Sequence, residues 1–471
     1  MITASTQASL LGSLGRLDAS YFLAPGAAAS RRLARAKAAG LDTVQLGGKG
    51  GLGHAWQPSR FKRAYAGRGE TSIPYLAPHD AFQYLPDDTE RLSLTRTEKL
   101  DRYRISRGQI LQTCSGRNLG PNVLVDAYLA RFATSHDVIR IDIDDERMRH
   151  YTVAFLRSRT GQELLRRDKS GSVIDHITIG QVEAQEVPLL DAAVIDRAAN
   201  LIRESFQLIE EARVTLADGL DAYEAALPSP ARPAPAKEGW TVNASALTGR
   251  LDAAPYDPWV AQIRRELLEA GGKRVDEVAD VLKPPGRYKT IYVSEPFGRA
   301  FMSGTQILQL VGAKQQFMAE RAFKDVPLYE LRQGWSVFMA DGRAEKDLGV
   351  VAMIPSDREG WLASGHVGRL VPHAQTDAGW LWLGARSWHA QVQIKALASG
   401  SVVDSTYSPD MESVILPPDT GVDGPTISDA WEKFARGRHA EAKAIRLVDE
   451  ASAAINGFKT STALPISPSP T

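Results

Sequence analysis

The chain has 471 residues, of which 43% are hydrophobic and 24% are charged. This composition is typical of globular proteins, and the length allows roughly two to four domains. Cys114 is the only cysteine, so a disulfide within the chain is excluded and a reducing compartment fits. The sequence shows neither a signal-peptide pattern nor a run of the roughly 18–20 apolar residues that cross a membrane. We therefore expect a cytoplasmic protein without a membrane partner.

The net charge is zero, because 56 Lys and Arg residues balance 56 Asp and Glu residues. The distribution is uneven: residues 1–120 hold 17 basic and 9 acidic side chains, a surplus of eight. The local potential, rather than the total charge, attracts phosphates. The composition therefore permits nucleic-acid binding without requiring it.

Residues 1–190 are predicted to form a first module of mixed α/β structure. Short apolar runs separated by Gly and Pro, as at residues 109–113 and 138–143, are typical of strands. The stretch from His150 to Leu165 fits a short helix better. We expect strands to dominate the part of this module that meets a ligand.

A long helix is predicted over residues 191–227. From Asp191 onward, large apolar residues follow the 4-3 spacing of a coiled-coil seam. A helix over residues 192–223 would be ~48 Å long at 1.5 Å per residue. Four prolines between residues 228 and 239 end it and predict a stiff, extended linker. The predicted seam positions of this first helix are Ile195, Ile202, Phe206, Ile209, Arg213, Leu216 and Leu220.

Residues 240–425 repeat the first module. Gly-Arg-Leu-Asp-Ala occurs at residues 15–19 and again at 249–253, and further short matches follow in the same order. The offset of these further matches is 226 to 229 residues, and the ordered series indicates a duplicated module. The matched pairs include Lys62 with Lys289, Tyr65 with Tyr292, Gly108 with Gly334, Gly116-Arg117 with Gly342-Arg343, and Gly171–Asp175 with Gly400–Asp404.

A second long helix is predicted over residues 426–458, followed by a disordered tail over residues 459–471. Its 4-3 spacing matches that of the first helix, so we expect the two helices to pair antiparallel as a spacer. Its predicted seam positions are Trp431, Phe434, Arg438, Glu441, Ile445, Val448 and Ile455. The predicted register pairs Ile195 with Ile455, Ile202 with Val448, Phe206 with Ile445, Leu216 with Phe434 and Leu220 with Trp431.

The same register predicts a polar layer within the seam. Arg213 would face Arg438, and Glu441 would lie opposite Ile209 and be shared by the two arginines. Such a layer gains little stability but penalises other registers. The alternative is that these long side chains reach water separately.

Two repeated segments are candidates for binding DNA. One is a Ser/Asp-Gly-Arg turn that follows a strand in each module, where an arginine could contact phosphate or guanine. The other is a basic–aromatic segment that begins at Arg60 and, in the repeat, at Arg287. The alternative is that they are ordinary turns and solvated strand faces. The candidate residues are Arg60, Lys62, Arg63, Arg68, Ser115, Arg117, Asn118, Arg287, Lys289, Arg343 and Lys346.

Other chemistry finds weaker support. The acidic residues at 142–146 could hold a metal in a duplicated nuclease or hydrolase, but only one acid recurs in the second module. Cys114 aligns with Ala340, so a buried thiol is a better interpretation than a nucleophile. No phosphate-binding loop or methyltransferase motif is present, and we expect no catalytic residue, metal or cofactor. A scaffold that joins proteins through its helices without binding DNA stays a further alternative.

The chain resembles the specificity subunit of type I restriction-modification systems. The resemblance rests on Ser115-Gly-Arg-Asn-Leu-Gly120, the phrases that end at Gly161 and Ile177, and Val187-Pro-Leu-Leu190 before the long helix. It is stronger in the first half than in the second, where Gly384-Ala-Arg-Ser-Trp-His389 replaces the helix phrase. It implies an α+β fold of two target recognition domains held apart by two antiparallel coiled-coil helices. It also implies a bipartite double-stranded DNA site, two DNA methyltransferase subunits as partners and, in restriction complexes, a motor-nuclease subunit.

Overall fold

A computed structural model describes residues 25–67, 69–116, 119–167, 176–232, 239–247, 249–282, 288–311, 315–344, 346–400, 403–406 and 408–455. The chain divides into two compact units: unit 1 is Met1–Glu210 with Arg436–Thr471, and unit 2 is Glu211–Ala435. Both units combine small sheets with helices, and the predicted α+β class is confirmed. In these described ranges, no helix is both long and apolar enough to span a membrane.

Unit 1 is built around a four-stranded antiparallel sheet of order β2-β8-β5-β6. A three-stranded sheet of order β4-β3-β7 lies beside it, and β1 pairs with β9. The elements are α1 (Pro25–Ala38), β1 (Thr43–Gln45), β2 (His54–Trp56), β3 (Ser72–Leu76), β4 (Arg91–Ser93), β5 (Ile110–Thr113), β6 (Asn122–Leu124), β7 (Ala133–Thr134), β8 (Val138–Asp142), α2 (Glu146–Arg157), α3 (Arg159–Leu165), α4 (Ile179–Glu183) and β9 (Glu186–Pro188).

Unit 2 repeats this topology. Its four-stranded sheet has the order β11-β18-β14-β16 and its three-stranded sheet the order β13-β12-β17. The duplication predicted from the sequence is therefore visible strand by strand. The elements are α6 (Pro258–Glu269), β10 (Lys273–Arg274), α7 (Val275–Val278), β11 (Ala279–Leu282), β12 (Arg299–Met302), β13 (Gln316–Met318), β14 (Ser336–Met339), β15 (Asp341–Gly342), β16 (Val351–Met353), β17 (Leu362–Ala363), β18 (Val367–Pro372), α8 (Ala378–Arg386), α9 (Trp388–Ala396), β19 (Asp404–Ser405), α10 (Ser408–Glu412) and β20 (Ile415–Leu416).

The helix pair that follows the large sheet is capped in the same way in both units. Asp145 accepts a hydrogen bond from the backbone of α2 at 2.9 Å, and Asp377 caps α8 at 2.8 Å. Ser158 and Ser387 occupy the junctions to α3 and α9 and cap those helices. An N-cap side chain satisfies one of the free N–H groups of the first turn. The two modules thus start their helices with the same chemistry despite the different sequences within the helices.

The two long helices are α5 (Ala192–Ala225) and α11 (Gly424–Ile455). In unit 1, a Cβ built on Gly437 would lie 3.1 Å from Cγ1 of Ile209. In unit 2, Lys433 forms an ion pair of 3.2 Å with Glu211, and a Cβ on Gly219 would lie 2.6 Å from Cδ1 of Ile427. Numbers rise along one helix as they fall along the other, so the predicted antiparallel pairing is confirmed.

The predicted register of these helices was wrong by about one helical turn. Gly437 lies where Glu441 was predicted, opposite Ile209. The heptad of large residues was misleading because small residues are buried on these helices, whereas Phe206 and Ile445 are only partly buried. The buried small residues are Ala198, Ala199, Ser205, Ala212, Ala217, Ala430, Ala435, Gly437, Ala440 and Ala444.

The predicted polar layer is replaced by contacts between α11 and the first module. Glu441 Oε2 lies 2.6 Å from Nη1 of Arg157 at the end of α2, and both side chains are largely buried. The Arg438 guanidinium lies over the Tyr84 ring, 5.1 Å from its centroid. Glu441 is thus held by an arginine of the module rather than shared by two arginines of the seam, and this prediction was wrong.

The beginning of the Pro-rich linker is anchored to unit 2. The Pro228 carbonyl accepts a hydrogen bond of 2.7 Å from His389, and the Pro230 carbonyl accepts one of 2.9 Å from the Trp259 indole. Trp259 stacks on Trp388 with ring centroids 6.0 Å apart. Residues 233–238 and the predicted disordered tail, 459–471, lie outside the described residues, as does the side chain of Ile455.

Candidate nucleic-acid interface

The basic–aromatic segment of unit 1 runs along the outer edge of the three-stranded sheet. The Ala64 carbonyl accepts a hydrogen bond of 2.8 Å from Ser93 N, and Ala66 N donates one of 2.9 Å to the Arg91 carbonyl. Tyr65, between them, bridges to the middle of β4. The segment therefore acts as an additional, irregular edge strand whose backbone is fixed on one side.

Unit 2 holds its own segment by equivalent hydrogen bonds. The Ile291 carbonyl accepts one of 3.0 Å from Ala319 N, and Val293 N donates one of 3.0 Å to the Phe317 carbonyl. Tyr292 bridges to β13 as Tyr65 does to β4. The sequence match between the two segments thus corresponds to one backbone arrangement used twice.

Both edge tyrosines present their rings to solvent. Tyr65 is 47% exposed and Tyr292 is 52% exposed. Each ring packs edge-on against a buried aromatic residue of the next strand. Tyr65 meets Tyr75 at 6.4 Å and 85°, and Tyr292 meets Phe301 at 6.5 Å and 72°. A half-exposed aromatic residue with a firm support is typical of a binding surface.

An inward-facing aromatic residue orients each segment just before the tyrosine. Phe61 stacks on Tyr103 with ring centroids 3.7 Å apart. In unit 2, Tyr288 takes this place and lies 5.2 Å from Tyr329, in an edge-on arrangement. The lysine that follows the inward-facing aromatic residue, Lys62 in unit 1, is exposed.

The predicted basic residues of this segment are on the surface where the structure describes them: Arg60, Lys62, Arg63 and Lys289. The Arg63 guanidinium lies over the Tyr75 ring, 5.2 Å from the centroid. A hydrogen bond with the Tyr65 side chain raises the pKa of Arg63. Two predicted positions, Arg68 and Arg287, lie outside the described residues.

An ion pair fixes the end of the unit 1 segment. Arg96 Nη2 donates to the Tyr65 carbonyl at 2.6 Å and to Glu70 at 2.7 Å. Glu70 also accepts from Gly67 N at 2.9 Å and from the Ser93 hydroxyl. These hydrogen bonds, that of Arg96 above all, hold the pKa of Glu70 well below its ordinary value. Glu70 is therefore ionised at neutral pH and keeps the chain beside Tyr65 in place.

The Gly-rich turns follow equivalent strands of the four-stranded sheets. Gly108 and Gly334 precede β5 and β14 with φ of 87° and 79°, and Gly120 and Gly349 close the turns with φ of 117° and 77°. Residues with a Cβ rarely adopt such angles, so glycine is required at both ends of the loop. These glycines therefore recur in both modules because the backbone conformation of the turn requires them.

The turn residues are described more fully in unit 2. Arg343 and Lys346 are exposed on the loop between β14 and β16. Ser115 is half-buried and bridges to His176. The other two predicted turn residues, Arg117 and Asn118, lie outside the described residues.

The two candidate segments meet within unit 2. Asp341, at the start of the turn, accepts from the Ser405 hydroxyl at 2.5 Å and lies 2.8 Å from Nδ1 of His366. Next to this histidine, Gly365 hydrogen-bonds through its backbone to the side chain of Tyr288, whose pKa burial raises to about 12. The basic–aromatic segment and the Asp-Gly-Arg turn are thus linked through residues 365–366.

An equivalent link exists within unit 1. The Gln57 side chain donates a hydrogen bond to the His136 carbonyl and lies 3.5 Å from Sγ of Cys114, at the start of the Ser-Gly-Arg turn. Two residues after Gln57, the Ser59 carbonyl accepts a hydrogen bond from the Tyr103 hydroxyl at 3.0 Å. Each unit therefore places its two candidate segments on neighbouring parts of one surface.

A buried arginine, which the sequence analysis missed, joins the two sheets of each unit. Arg140 in β8 donates to the carbonyls of residues 102–104 at 2.8–3.0 Å, and Arg369 in β18 donates to that of Leu328 at 2.6 Å. Burial lowers the pKa of both arginines to about 10. The sequence feature that could have revealed them is an arginine inside an apolar strand in both modules, with Arg369 229 residues after Arg140.

A repeated glutamine, which the sequence analysis also missed, binds the backbone at the end of each Gly-rich turn. Gln162 Nε2 donates to the Gly120 carbonyl at 2.9 Å, and Gln391 Nε2 donates to that of Gly349 at 2.8 Å. Both glutamines come from the second helix of their pair, α3 or α9. The positive-φ glycine at the end of each turn is thus tied to the core of its unit.

Two of the acidic residues at 142–146, Asp142 and Asp145, have structural roles. Asp142 accepts from the Trp56 indole at 2.6 Å and from Gln109 at 2.8 Å, and Asp145 is the N-cap of α2. Across the part of the chain that the structure describes, no three His, Cys, Asp or Glu residues are grouped so that they could hold a metal. Cys114 is buried, and burial raises the pKa of its thiol to about 11.

No family model and no curated protein matches the chain. Three solved structures are similar to it over most of its length. The S subunit of a type I restriction-modification system from M. genitalium is 10% identical with a TM-score of 0.28, covering 88% of this chain and 98% of its own. The HsdS subunit from Thermoanaerobacter tengcongensis is 14% identical with a TM-score of 0.27, covering 89% and 97%. A chain from a structure on the assembly and conformational transition of the type I R-M system is 15% identical, with a TM-score of 0.29 and the same coverage.

Proposed function

We propose that this chain is the DNA sequence-recognition subunit of a type I-like restriction-modification or methylation-associated phage defence complex. The observation that carries the proposal is the duplicated module. Each copy brings an exposed basic–aromatic edge and a glycine-bounded turn to one surface, and two long antiparallel helices follow the copies. Two similar surfaces in one chain suit a target with two similar parts.

Each module would read half of a bipartite double-stranded DNA site. The recognition domains are proposed as residues 1–190 and 240–425, and residues 191–227 and 426–458 as the spacer. Arginine can form two parallel hydrogen bonds to guanine O6 and N7 in the major groove, which would suit Arg343. Phosphate contacts would set the register of each module on the duplex without reading sequence.

The chemistry would belong to partner subunits. We propose two DNA methyltransferase subunits as partners and, in a restricting complex, a motor-nuclease subunit. The chain itself would neither methylate nor cut DNA. Asp142 and Asp145, the candidates for a metal site of a nuclease, are used as strand-end and helix-cap acceptors. A duplicated nuclease would need carboxylates at equivalent places in both units.

Selection from a random-sequence DNA duplex library by the full-length chain tests this proposal. We expect enrichment of a motif with two short conserved parts separated by a spacer of fixed length. A single continuous palindrome would count against two independent readers. A lack of any enrichment or binding would favour the scaffold alternative.

A matched pair of variants makes the selection specific to the site. Arg343→Ala should relax one half of the motif and leave the other half unchanged, with a loss of ~1–3 kcal/mol if it reads a base. Arg31→Ala, which removes an exposed arginine of α1, should change neither half. Equal losses on all sequences for Arg343→Ala would instead mean that this arginine contacts phosphate.

A further inference from the structure

We propose that Lys62 with Tyr65, and Lys289 with Tyr292, form two matched, sequence-independent contacts to the DNA sugar–phosphate backbone. This inference rests on the proposed function and divides the surface of each module by task. The matched residues would position each module, whereas residues that differ between the modules would read the bases.

Burial explains some of the residues that the two modules share. Residues shared by both modules and buried, such as the paired arginines of β8 and β18, are shared because the fold needs them. Lys62, Lys289, Tyr65 and Tyr292 are on the surface, so packing alone does not require their identity. A shared side chain on a surface is explained by a shared target, and the backbone is the part of DNA that every half-site has.

Some surface positions near the matched residues differ between the two units. Arg63, between the lysine and the tyrosine of unit 1, is matched by Thr290 in unit 2. On the turns, Ser115 corresponds to Asp341. These residues are exposed or half-exposed, and they would present different donors and acceptors to the two half-sites. Different base sequences require such a difference. We therefore assign Arg63 to sequence reading. Its substitution can be compared with those of the matched lysines and tyrosines.

The matched pairs are also held in one geometry. The hydrogen bonds on either side of each tyrosine are 2.8 and 2.9 Å in unit 1 and 3.0 and 3.0 Å in unit 2. Each tyrosine packs edge-on against a buried aromatic ring, at 6.4 Å for Tyr65 and 6.5 Å for Tyr292. Tyrosine has few rotatable bonds, so a fixed backbone and a supported ring leave little entropy to lose on binding.

The chemistry of the pair suits phosphate. A lysine ammonium is a point charge that needs no particular orientation, and a tyrosine hydroxyl can donate one hydrogen bond to a phosphate oxygen. In each unit the tyrosine comes three positions after the lysine, a distance of about 10 Å along an extended backbone. Neither group distinguishes one base pair from another when it binds phosphate.

The salt dependence of binding to a random-sequence duplex tests the lysines. Release of counterions makes the logarithm of the binding constant fall with the logarithm of salt concentration by about 0.9 per neutralised phosphate. We expect Lys62→Gln and Lys289→Gln each to reduce the magnitude of that slope by about 0.9, and the double variant by about twice as much. Arg31→Gln, a surface charge on α1, should leave the slope unchanged.

The tyrosines are tested by removing only the hydroxyl. Tyr65→Phe and Tyr292→Phe keep the ring against its aromatic support, and each should weaken binding to the random duplex about ten-fold if the hydroxyl donates to phosphate. Thermal unfolding curves that match the wild type show that the fold is intact. Wild-type affinity in both Phe variants would overturn the role of the hydroxyl.

Sequence selection with the same variants separates the two tasks. The motif enriched by the Lys62→Gln and Tyr292→Phe variants should equal that of the wild type, whereas Arg63→Gln should change one half of it. A changed motif with Tyr292→Phe, or an unaltered salt slope with both lysines replaced, would overturn the inference alone. Loss of all DNA binding by the wild-type chain would overturn the proposed function as well.

Discussion

A cation buried in a protein is costly unless acceptors surround it. Arg140 is 0% exposed and Arg369 is 3% exposed, and each donates to backbone carbonyls of the segment that bridges to the last strand of the three-stranded sheet, β7 or β17. A guanidinium, with five donors in a planar fork, can serve several carbonyls at once, whereas a lysine cannot do so in the same geometry. These arginines thus determine where the edge with Tyr65 or Tyr292 lies relative to the larger sheet.

Arg140→Met should loosen the three-stranded sheet of unit 1. The carbonyls of Arg102 and Arg104 would lose this donor, at ~1–3 kcal/mol for each buried group left unsatisfied, whereas that of Tyr103 would keep its bond from Thr134 N. Hydrogen exchange should become faster in β3 and β4 than in β5. Arg31→Met removes an exposed arginine and provides the control, with an effect within ~0.5 kcal/mol. Unchanged exchange in β3 and β4 would mean that the arginine does not hold the sheet.

His150 gives unit 1 a stability that depends on pH. Its ring is buried in α2, 6.1 Å from the Phe206 ring of α5, and burial lowers its pKa to about 4. The unfolded chain takes up this proton below pH ~6.5, but the folded chain does so only near pH 4. The contribution of His150 is therefore complete above pH ~6.5 and is lost as the pH falls towards 4.

Replacement of this histidine by a neutral residue should flatten the pH profile. We expect His150→Gln to lose less stability between pH 6.5 and 4 than the wild type, by about 1–3 kcal/mol. Urea unfolding followed at several pH values measures the difference. His439→Gln, an exposed histidine of α11, is the matched control. Parallel profiles for His150→Gln and the wild type would show that this histidine is charged in the fold.

At the scale of elements, the long helices show what a heptad pattern leaves undetermined. The spacing predicted both helices and their antiparallel pairing, because a stripe of apolar residues has to be buried. It did not fix the register, because the pattern repeats every turn or two and the buried Ala and Gly positions look unremarkable in sequence. The contact that does fix α11 to the first module, Arg157 with Glu441, joins residues 284 positions apart.

The Arg157–Glu441 pair should contribute more than a surface ion pair. Both side chains are 13% exposed, and the nitrogen–oxygen distance is 2.6 Å. A double-mutant cycle with Arg157→Gln and Glu441→Gln should give a coupling energy of ~0.5–3 kcal/mol. The more exposed pair of Lys433 and Glu211 should give ~0–1 kcal/mol in the same experiment. A coupling of Glu441 to Arg213 that exceeded its coupling to Arg157 would restore the sequence-based register.

The order of the strands was largely predictable, and the binding surface only in part. The runs at 109–113 and 138–143 correspond to β5 and β8, and the offset of 229 carried the same order of strands into unit 2. The edge position of Tyr65 was not predictable, because it depends on hydrogen bonds to β4, a strand nearly 30 residues away. Local sequence patterns indicate the secondary structure that a segment prefers. Which strand it pairs with depends on the whole sheet.

At the scale of the whole molecule, duplication allows the two modules to evolve separately. The shared frame of buried arginines, capping residues and glycine-bounded turns is what keeps each unit folded. Exposed positions such as Arg63, matched by Thr290, can change in one unit without cost to the other. Because distant sites contribute additively, a change in one module should alter one half-site by the same free energy whatever the other half-site is.

If the chain binds a two-part DNA site as proposed, its two modules should bind that site with avidity. Once one module is bound, the second meets its half-site at a high effective concentration, which gains about 10²–10⁴ in affinity over a single half-site. The helices α5 and α11 are unbroken over 34 and 32 residues. A continuous helix does not twist freely, so the gain should depend on the spacing of the half-sites.

Insertions between the half-sites of the selected motif test this dependence. About five added base pairs turn the second half-site to the opposite face of the duplex, because one turn takes about 10–10.5 base pairs. Affinity should then fall to that of a duplex with one half-site. About ten added base pairs restore the face but move the half-site by ~34 Å, and the gain should again be lost because the helices cannot lengthen. If both duplexes kept the full affinity, the modules would be joined flexibly, and the helices would serve partner binding rather than spacing.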